Sequence, residues 1–413
     1  MRIRALLTFA FLLALAGCGG GKGTGGKEVV VFWQFFPAEQ IGPVLAEFKK
    51  QNPDVDVRME QLTWQSGLEK ITAATAAGNV PDLCELGSTW FPRFAAQGAL
   101  VDWTDSTAAM AQDMILSDMA RVNGRSYGLP WAVGTRALFW NKALFARAGL
   151  DTSRGPENWD ELLAASRKVN ALGGGIAGYG ANAGERYVLF KKFMPYAWGN
   201  GGQLLTDDGK ASAFDSPENV QALEFYLALA KAGRVDRQDQ LDEAFMQGKL
   251  GAQISGAWLF RKIPKQAPDL RYGVALVPHP VGDRGTHASF AGGEILCSFK
   301  ASKNPSGALR LARFLASRDA ALMLARANQS VQPAVRGVEN DAYYQQRPME
   351  RVLLDQLALA VPTPNHPAWL DMEAAIEDEV EKALYGKTSA AQAVKAASDR
   401  IDALAKNTEL TAK

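Results

Sequence analysis

Residues 28–86, EVVVFWQFFPAEQIGPVLAEFKKQNPDVDVRMEQLTWQSGLEKITAATAAGNVPDLCEL, carry the alternation on which the fold reading rests. Residues 28–32 are a short β-branched run, and apolar residues at helical spacing follow at Val44, Leu45 and Phe48. The turn Gln51-Asn52-Pro53-Asp54 leads into a second strand at 55–59. Ser66-Gly67-Leu68-Glu69 has the form of a capping box, and the helix it opens runs through Ile71 and Ala74 until Gly78 stops it. Residues 81–86 form a third strand. Strands alternating with helices predict an α/β fold with a parallel sheet covered by helices.

The pattern continues outward from this stretch. Asn158-Trp159-Asp160-Glu161 starts a helix whose apolar side is Trp159, Leu162, Leu163 and Val169. Ser216-Pro217 and Asn304-Pro305 each place a capping side chain before a proline at the first helical position. Beyond about Tyr343 the strand signals fade and helices dominate. A chain of 413 residues has room for two domains, yet no Pro/Ser-rich linker and no solenoid-period repeat divides it. Two lobes joined by several strand crossings are therefore expected.

The N-terminus bears on location. Arg2 and Arg4 precede an apolar run, 6–15, too short to span a bilayer, which closes with Leu15-Ala16-Gly17-Cys18. This resembles the lipobox of bacterial lipoproteins, so residues 1–17 are expected to be a signal peptide and Cys18 the lipidation site. Residues 18–27, mostly glycine, fit a flexible tether. The cell envelope, on the periplasmic or extracytoplasmic face of a membrane, is the expected location. Cys84 and Cys297 remain, open between a disulfide and two buried thiols.

The formal net charge of +1 gives no electrostatic footprint for nucleic acid, and none is expected as a partner. His279, His287 and His366 are dispersed in sequence without metal-ligand spacing, so no metal is expected. No Gly-x-Ser-x-Gly elbow appears. The glycines of 21–27 imitate a phosphate loop, but Glu28 stands where Ser or Thr would hold magnesium. The run 173–178 has dinucleotide-loop spacing yet follows a helix, and is expected to be a plain loop. No catalytic residue and no cofactor is implied.

Several segments together are similar to the family 1 extracellular solute-binding proteins, the maltose-binding-protein-like sugar receptors of ABC importers. They are Val29 to Trp33 with Asn52-Pro53; Ala76-Ala77-Gly78-Asn79-Val80-Pro81-Asp82-Leu83; and Gly87-Ser88-Thr89-Trp90. Next come Tyr127-Gly128-Leu129-Pro130-Trp131 with Thr135-Arg136-Ala137-Leu138-Phe139-Trp140-Asn141-Lys142, then Trp198-Gly199-Asn200-Gly201-Gly202. Phe245-Met246-Gln247-Gly248-Lys249 leads to Ser255-Gly256-Ala257-Trp258, and Ser289-Phe290-Ala291-Gly292-Gly293 precedes Ser302-Lys303-Asn304-Pro305. The resemblance implies a periplasmic-binding-protein-like (type II) fold: two α/β lobes, a ligand cleft and hinge crossings beneath it. One lobe would take 28–131 and 278–330, the other 135–274 and 333–413, with hinges near 131–135, 274–278 and 328–333. It further implies a monomer whose partners are a small-molecule ligand of carbohydrate type and the transmembrane subunits of an ABC permease. Gly134 departs from the acidic residue that many sugar-binding relatives carry before the Thr-Arg pair, which removes one acceptor for ligand hydroxyls.

Sugar recognition needs flat aromatic faces for the C–H side of the ring and polar groups for its hydroxyls. Trp33, Trp64, Trp90, Trp131, Trp198 and Trp258 lie just past strands or beside glycine, where ligand loops are expected. Packing at a lobe edge is the alternative for each. Trp103, Trp140, Trp159 and Trp369 sit among core partners. The polar candidates are Gln34, Gln65, Ser88, Thr89, Asn182, Glu294 and Gln332, and Gly292 and Gly293 would let the backbone approach a ligand. Arg136 could fork an anionic ligand, but a hinge buttress is the preferred role. Rival ligands are glycerol phosphodiesters or another polar nutrient. Rival classes are a lipoprotein enzyme acting on polysaccharide and a sensor subunit.

Overall fold

The computed structural model describes residues 27–282 and 285–411. The expected signal peptide, Cys18 and all of the tether but Lys27 lie outside the described residues. The first three strands are β1 (Glu28–Gln34), β2 (Val55–Gln61) and β3 (Leu83–Gly87). A hairpin of β4 (Arg121–Val122) and β5 (Arg125–Ser126) precedes β6 (Leu129–Gly134) and β7 (Ala137–Asn141). Then come β8 (Ala177–Asn182), β9 (Arg234–Asp236), β10 (Leu250–Ser255) and β11 (Tyr272–Ala275). The last are β12 (Ser289–Cys297), β13 (Gln332–Pro333) and β14 (Ala360–Pro362).

They form two large sheets. One has the order β13-β6-β12-β3-β1-β2 with β14 beside β12; the other runs β11-β7-β10-β8-β9. Each sheet is mixed, where a parallel one is expected from the alternation. β1 pairs in parallel with β2 and β3, whereas β12 is antiparallel to both β3 and β6. The reason is topological. β6 leads out of the first sheet through Thr135-Arg136 into β7 of the second, and β12 returns from β11, so these strands enter without a helical crossover on their own sheet. Two α/β lobes with crossings beneath them follow, in agreement with the implied fold.

The first lobe has a core on each face of its sheet. Val30 and Phe32 of β1 pack with Ile41, Val44 and Phe48 and with Leu311, Leu315 and Leu324 of later helices. Trp33, on the alternate face, packs with Ile71, Leu86, Phe91 and Phe94. The second lobe's core gathers Leu162 and Val169, Phe193 and Tyr196, Leu223 and Tyr226, and from the C-terminal helices Trp369, Ile376 and Val394. The tail from Trp369 onward thus completes the second lobe after visiting the first.

The expected caps are present at Asn158, Ser216 and Asn304, whose side chains accept from the amides of Glu161, Asn219 and Gly307. Gly78 ends its helix at φ 67°, the left-handed conformation a side chain resists. The capping box at Ser66 does not form: Ser66 shares its hydroxyl with Thr63 Oγ1 at 2.9 Å and makes no capping bond. Gly173, Gly174 and Gly175 form a left-handed turn into β8, as a plain loop would. Cys84 and Cys297 are buried free thiols directly opposite each other across β3 and β12.

Candidate functional site

The C-terminal ends of β1, β2 and β3 bring an aromatic platform together. Leu62 N–H donates to Gln34 O at 2.7 Å, fixing the turn that carries Trp64. The Trp64 ring stacks on Phe35 at 4.2 Å and 18°, and tilts against Trp90 at 5.1 Å. Trp64 remains 49% exposed while Trp90 is buried beneath it. Gly87 lies directly beneath both rings, where a Cβ would press on the Trp64 ring at 3.3 Å and touch Trp90 at 3.6 Å.

Gly87 pairs with Glu294 across β3 and β12, which joins the platform to the polar part of the site. Ser88 N–H donates to Gly293 O at 2.7 Å, and Ser88 Oγ accepts from Gly293 N–H at 3.2 Å. A Cβ on Gly293 would collide with Ala132 O at 2.2 Å, and one on Gly292 with the Phe290 ring, so both glycines are required by packing. The β12–β6 register slips between Glu294 and Ile295. Such a bulge re-aims the side chain at the slip.

Glu294 faces basic groups from the second lobe. Burial pushes its carboxyl up to about 7, with Lys191 and Arg136 pulling the other way. Glu85, whose Oε2 accepts from Phe35 N–H at 2.8 Å, is pushed well above the carboxylate range by burial and then by Glu294. Arg136, on the crossing from β6 to β7, lies over the rings of Trp258 at 4.9 Å and Phe290 at 5.4 Å. Burial lowers its guanidinium to about 10, and its Nε has no protein partner. Lys192 lies over the same Trp258 ring at 5.0 Å and donates to Ile254 O at 3.1 Å. Asp242 accepts from Trp258 Nε1 at 2.7 Å and from Lys262 at 2.9 Å. Gln238, Gln253 and Ser255 complete the buried network around that carboxylate.

The expected site residues divide accordingly. Trp64, Trp90, Ser88, Gly292, Gly293 and Glu294 share one neighbourhood, with buried Thr89 between Ser88 and Trp90. Trp258 joins it through Arg136, though Gly256 covers part of the indole: a Cβ there would approach the ring to 2.0 Å. Gln65 is exposed beside Trp64. Asn182 is buried at the end of β8, its amide donating to Glu185 at 3.3 Å and its Oδ1 unpartnered. Gln332, in β13, also has a buried unpartnered Oε1.

Other expected residues stand apart. Trp131 is 1% exposed and wedged between Phe32 and Phe36 in the first lobe's core. Trp33 packs on the helical face with Lys70 over its ring at 4.5 Å. Gln34 turns its amide back on Phe36, donating to that carbonyl at 2.8 Å. Trp198 packs edge-on to Phe190 in the second lobe's core.

Sequence reasoning missed Phe35, Lys191, Lys192 and Asp242. The two lysines had a signal, being the only charges in the otherwise apolar helix Phe190–Gly199. Asp242 had none. His279 and His287, read as dispersed, come together with ring centroids 4.7 Å apart. A groove of about 520 Å³ between the helices Trp159–Asn170 and Pro217–Lys231 carries none of these groups.

Residues 37–322 match the bacterial extracellular solute-binding protein family. A binding protein of Brucella abortus is 32% identical over 296 residues, covering 68% of this chain and 70% of its own. The maltodextrin-binding protein MdxE of Bacillus subtilis is 27% identical over 96% of this chain and 97% of its own. Among solved structures, an ABC transporter solute-binding protein from Thermotoga lettingae with bound α-D-tagatose superposes with a TM-score of 0.81. It shares 28% identity and covers 92% of this chain and 100% of its own.

Proposed function

Because this chain belongs to the bacterial extracellular solute-binding proteins, we propose that it captures a sugar or oligosaccharide between its lobes for delivery to an ABC permease. Membership of that family gives an extracytoplasmic location. The observation that carries the sugar reading is the open indole face of Trp64, stacked on Phe35 and one strand pair away from Glu294. A pyranose offers a C–H face to the indole and hydroxyls to a carboxylate, and both needs are met within one neighbourhood. The named ligands of similar proteins, maltodextrin and α-D-tagatose, support the same class.

Binding proceeds by closure. Ligand contacts to the Trp64 platform and to the Arg136–Trp258 wall favour the arrangement in which both touch the ligand at once. The hinges are 131–135, 274–278 and 328–333, and the lobes comprise 28–131 with 278–330 and 135–274 with 333–413, the last stretch passing beside the first sheet at β14 before its helices from Trp369 pack into the second lobe. The carrier works as a monomer, tethered by lipid at Cys18 and the glycine-rich segment after it.

Charge argues for a neutral polyol over a phosphodiester. Among the described residues the wall holds one arginine, Arg136, beside Lys191 and Lys192 and facing Glu294, rather than the arginine cluster that phosphate asks for. The Glu85–Glu294 pair invites comparison with a glycosidase, but Glu85 is wholly buried and spends one oxygen on a backbone amide. The protein binds without catalysis.

The test is a thermal-shift and calorimetric screen of the mature protein against mono- and oligosaccharides, with glycerophosphocholine as the phosphodiester comparison. Saturable one-to-one binding of a sugar, with the sugar recovered intact, is expected. Binding of glycerophosphocholine alone, or release of shortened sugars, would replace the proposal with one of its rivals.

A further inference from the structure

We propose that Glu157, His279 and His287 form a binding site for a divalent transition-metal ion of the zinc class. One ligand atom from each of the three lies within 4.8 Å of the others. Residues 157–159 pair with 279 as a short bridge: His279 N–H donates to Glu157 O at 3.2 Å, and Trp159 N–H donates to His279 O at 2.9 Å. His287 arrives eight residues later, just before β12 begins. The two imidazoles meet nearly at right angles, 88°.

Both rings are held as metal-binding histidines are. His279 Nδ1 lies 2.6 Å from Pro280 O, and His287 Nδ1 lies 2.7 Å from Val277 O. A carbonyl accepts only, so each Nδ1 carries a proton, and the lone pair of the neutral ring lies on Nε2. A backbone carbonyl on one ring nitrogen is the usual outer partner of a metal-bound histidine. The supports beneath are buried. Gln356, with no exposed surface, accepts from Val277 N–H at 2.7 Å and donates to His287 O at 2.6 Å, clasping both ends of the crossover. Gly285 lets the loop close, since a Cβ there would lie 2.3 Å from Pro280 O and 3.0 Å from His279 Nδ1.

Glu157 is available to complete the set. Its carboxylate is largely exposed and only 3.8 Å from Arg154, whose guanidinium already forks Glu161 at 2.7 and 3.0 Å. Ligands about 2.1 Å from a tetrahedral ion sit about 3.4 Å apart, so atoms that all lie within 4.8 Å of one another need draw in by no more than about 1.4 Å, and the solvent-facing side chain of Glu157 is free to rotate toward the rings. Two imidazoles and one carboxylate suit zinc, cobalt or nickel better than magnesium or calcium, which prefer oxygen throughout. Three protein ligands leave a fourth position for water. The site sits on the passage from β11 to β12, one of the crossings between the sheets. An ion there would staple that crossing to the second lobe.

Tag-free protein stripped with EDTA would be titrated with Zn²⁺ by calorimetry, and loaded with Co²⁺ for visible absorption. One equivalent with a dissociation constant below about 10 μM is expected, together with cobalt bands of a low-coordinate site. His279→Ala and His287→Ala should each weaken binding at least tenfold. Because those rings also hold the loop, Glu157→Gln serves as the variant whose fold is not at stake, and it too should lose tenfold. Sugar affinity of the stripped protein is measured alongside, so failure here stays separate from failure of the binding function. Absence of zinc binding at about 100 μM, or binding indifferent to all three changes, would overturn the site.

Discussion

Replacing Trp64 by alanine removes the one large indole face that the platform leaves open, and the structure sets the size of the effect. A tryptophan side chain offers up to about 250 Å², and Trp64 leaves 49% of its surface to water. A sugar ring covering half of that open area would shield about 60 Å², worth about 1.5 kcal/mol at 25 cal/mol per Å². Affinity should therefore fall about tenfold. Lost stacking on Phe35 and Trp90 costs about 1–2 kcal/mol of stability, a drop of several degrees in Tm. Calorimetry with the best sugar from the screen measures the first quantity and a thermal melt the second. Trp131→Ala is the contrast: with 1% exposure it should cost about 3–5 kcal/mol and threaten folding itself. A folded Trp64→Ala protein whose Kd stays within twofold of the parent would refute the platform.

Three further outcomes follow from the same geometry. Glu294, raised to about 7 by burial, lets stability and affinity move oppositely with pH. Its contribution to stability is full below the unfolded value near 4.5 and is lost as pH rises through about 7, by at most about 3 kcal/mol. Its contribution to sugar binding, as a carboxylate acceptor, grows over the same interval. Glu294→Gln should flatten both profiles, and unchanged profiles in a folded variant would remove Glu294 from the site. Gly134→Asp should fold normally, because a Cβ there meets nothing within 4 Å. It should also change sugar affinity or preference about tenfold by supplying a charged acceptor; an unaltered sugar profile would show that position 134 does not reach the ligand. Cys84 and Cys297, buried with thiols raised by desolvation, should resist iodoacetamide in the native protein and both react after unfolding without reductant. Denatured protein that yields neither thiol would reveal a disulfide instead.

Much of the scaffold was legible because local chemistry agreed with tertiary demand. The strand at 28–32, the caps at Asn158, Ser216 and Asn304 and the stop at Gly78 each carry their cause within a few residues. Ser66 did not cap its helix because Thr63, three residues earlier, offered its hydroxyl a nearer partner. The site was less legible because exposure is decided by distant elements. Trp64 and Trp131 have similar neighbours in sequence, yet one ends on an open turn and the other between Phe32 and Phe36. The lysines of the Phe190–Gly199 helix could have been noticed as charges in an apolar run. The meeting of Glu157 with His279 and His287 could not, because it depends on a bridge closed across more than a hundred residues.

Closure on a captured sugar is tested most directly by small-angle X-ray scattering of the protein with and without saturating ligand. Two halves that come together around one molecule predict a smaller radius of gyration in the bound sample, lost again when the sugar is dialysed away. Tight one-to-one binding with superimposable scattering curves would contradict it.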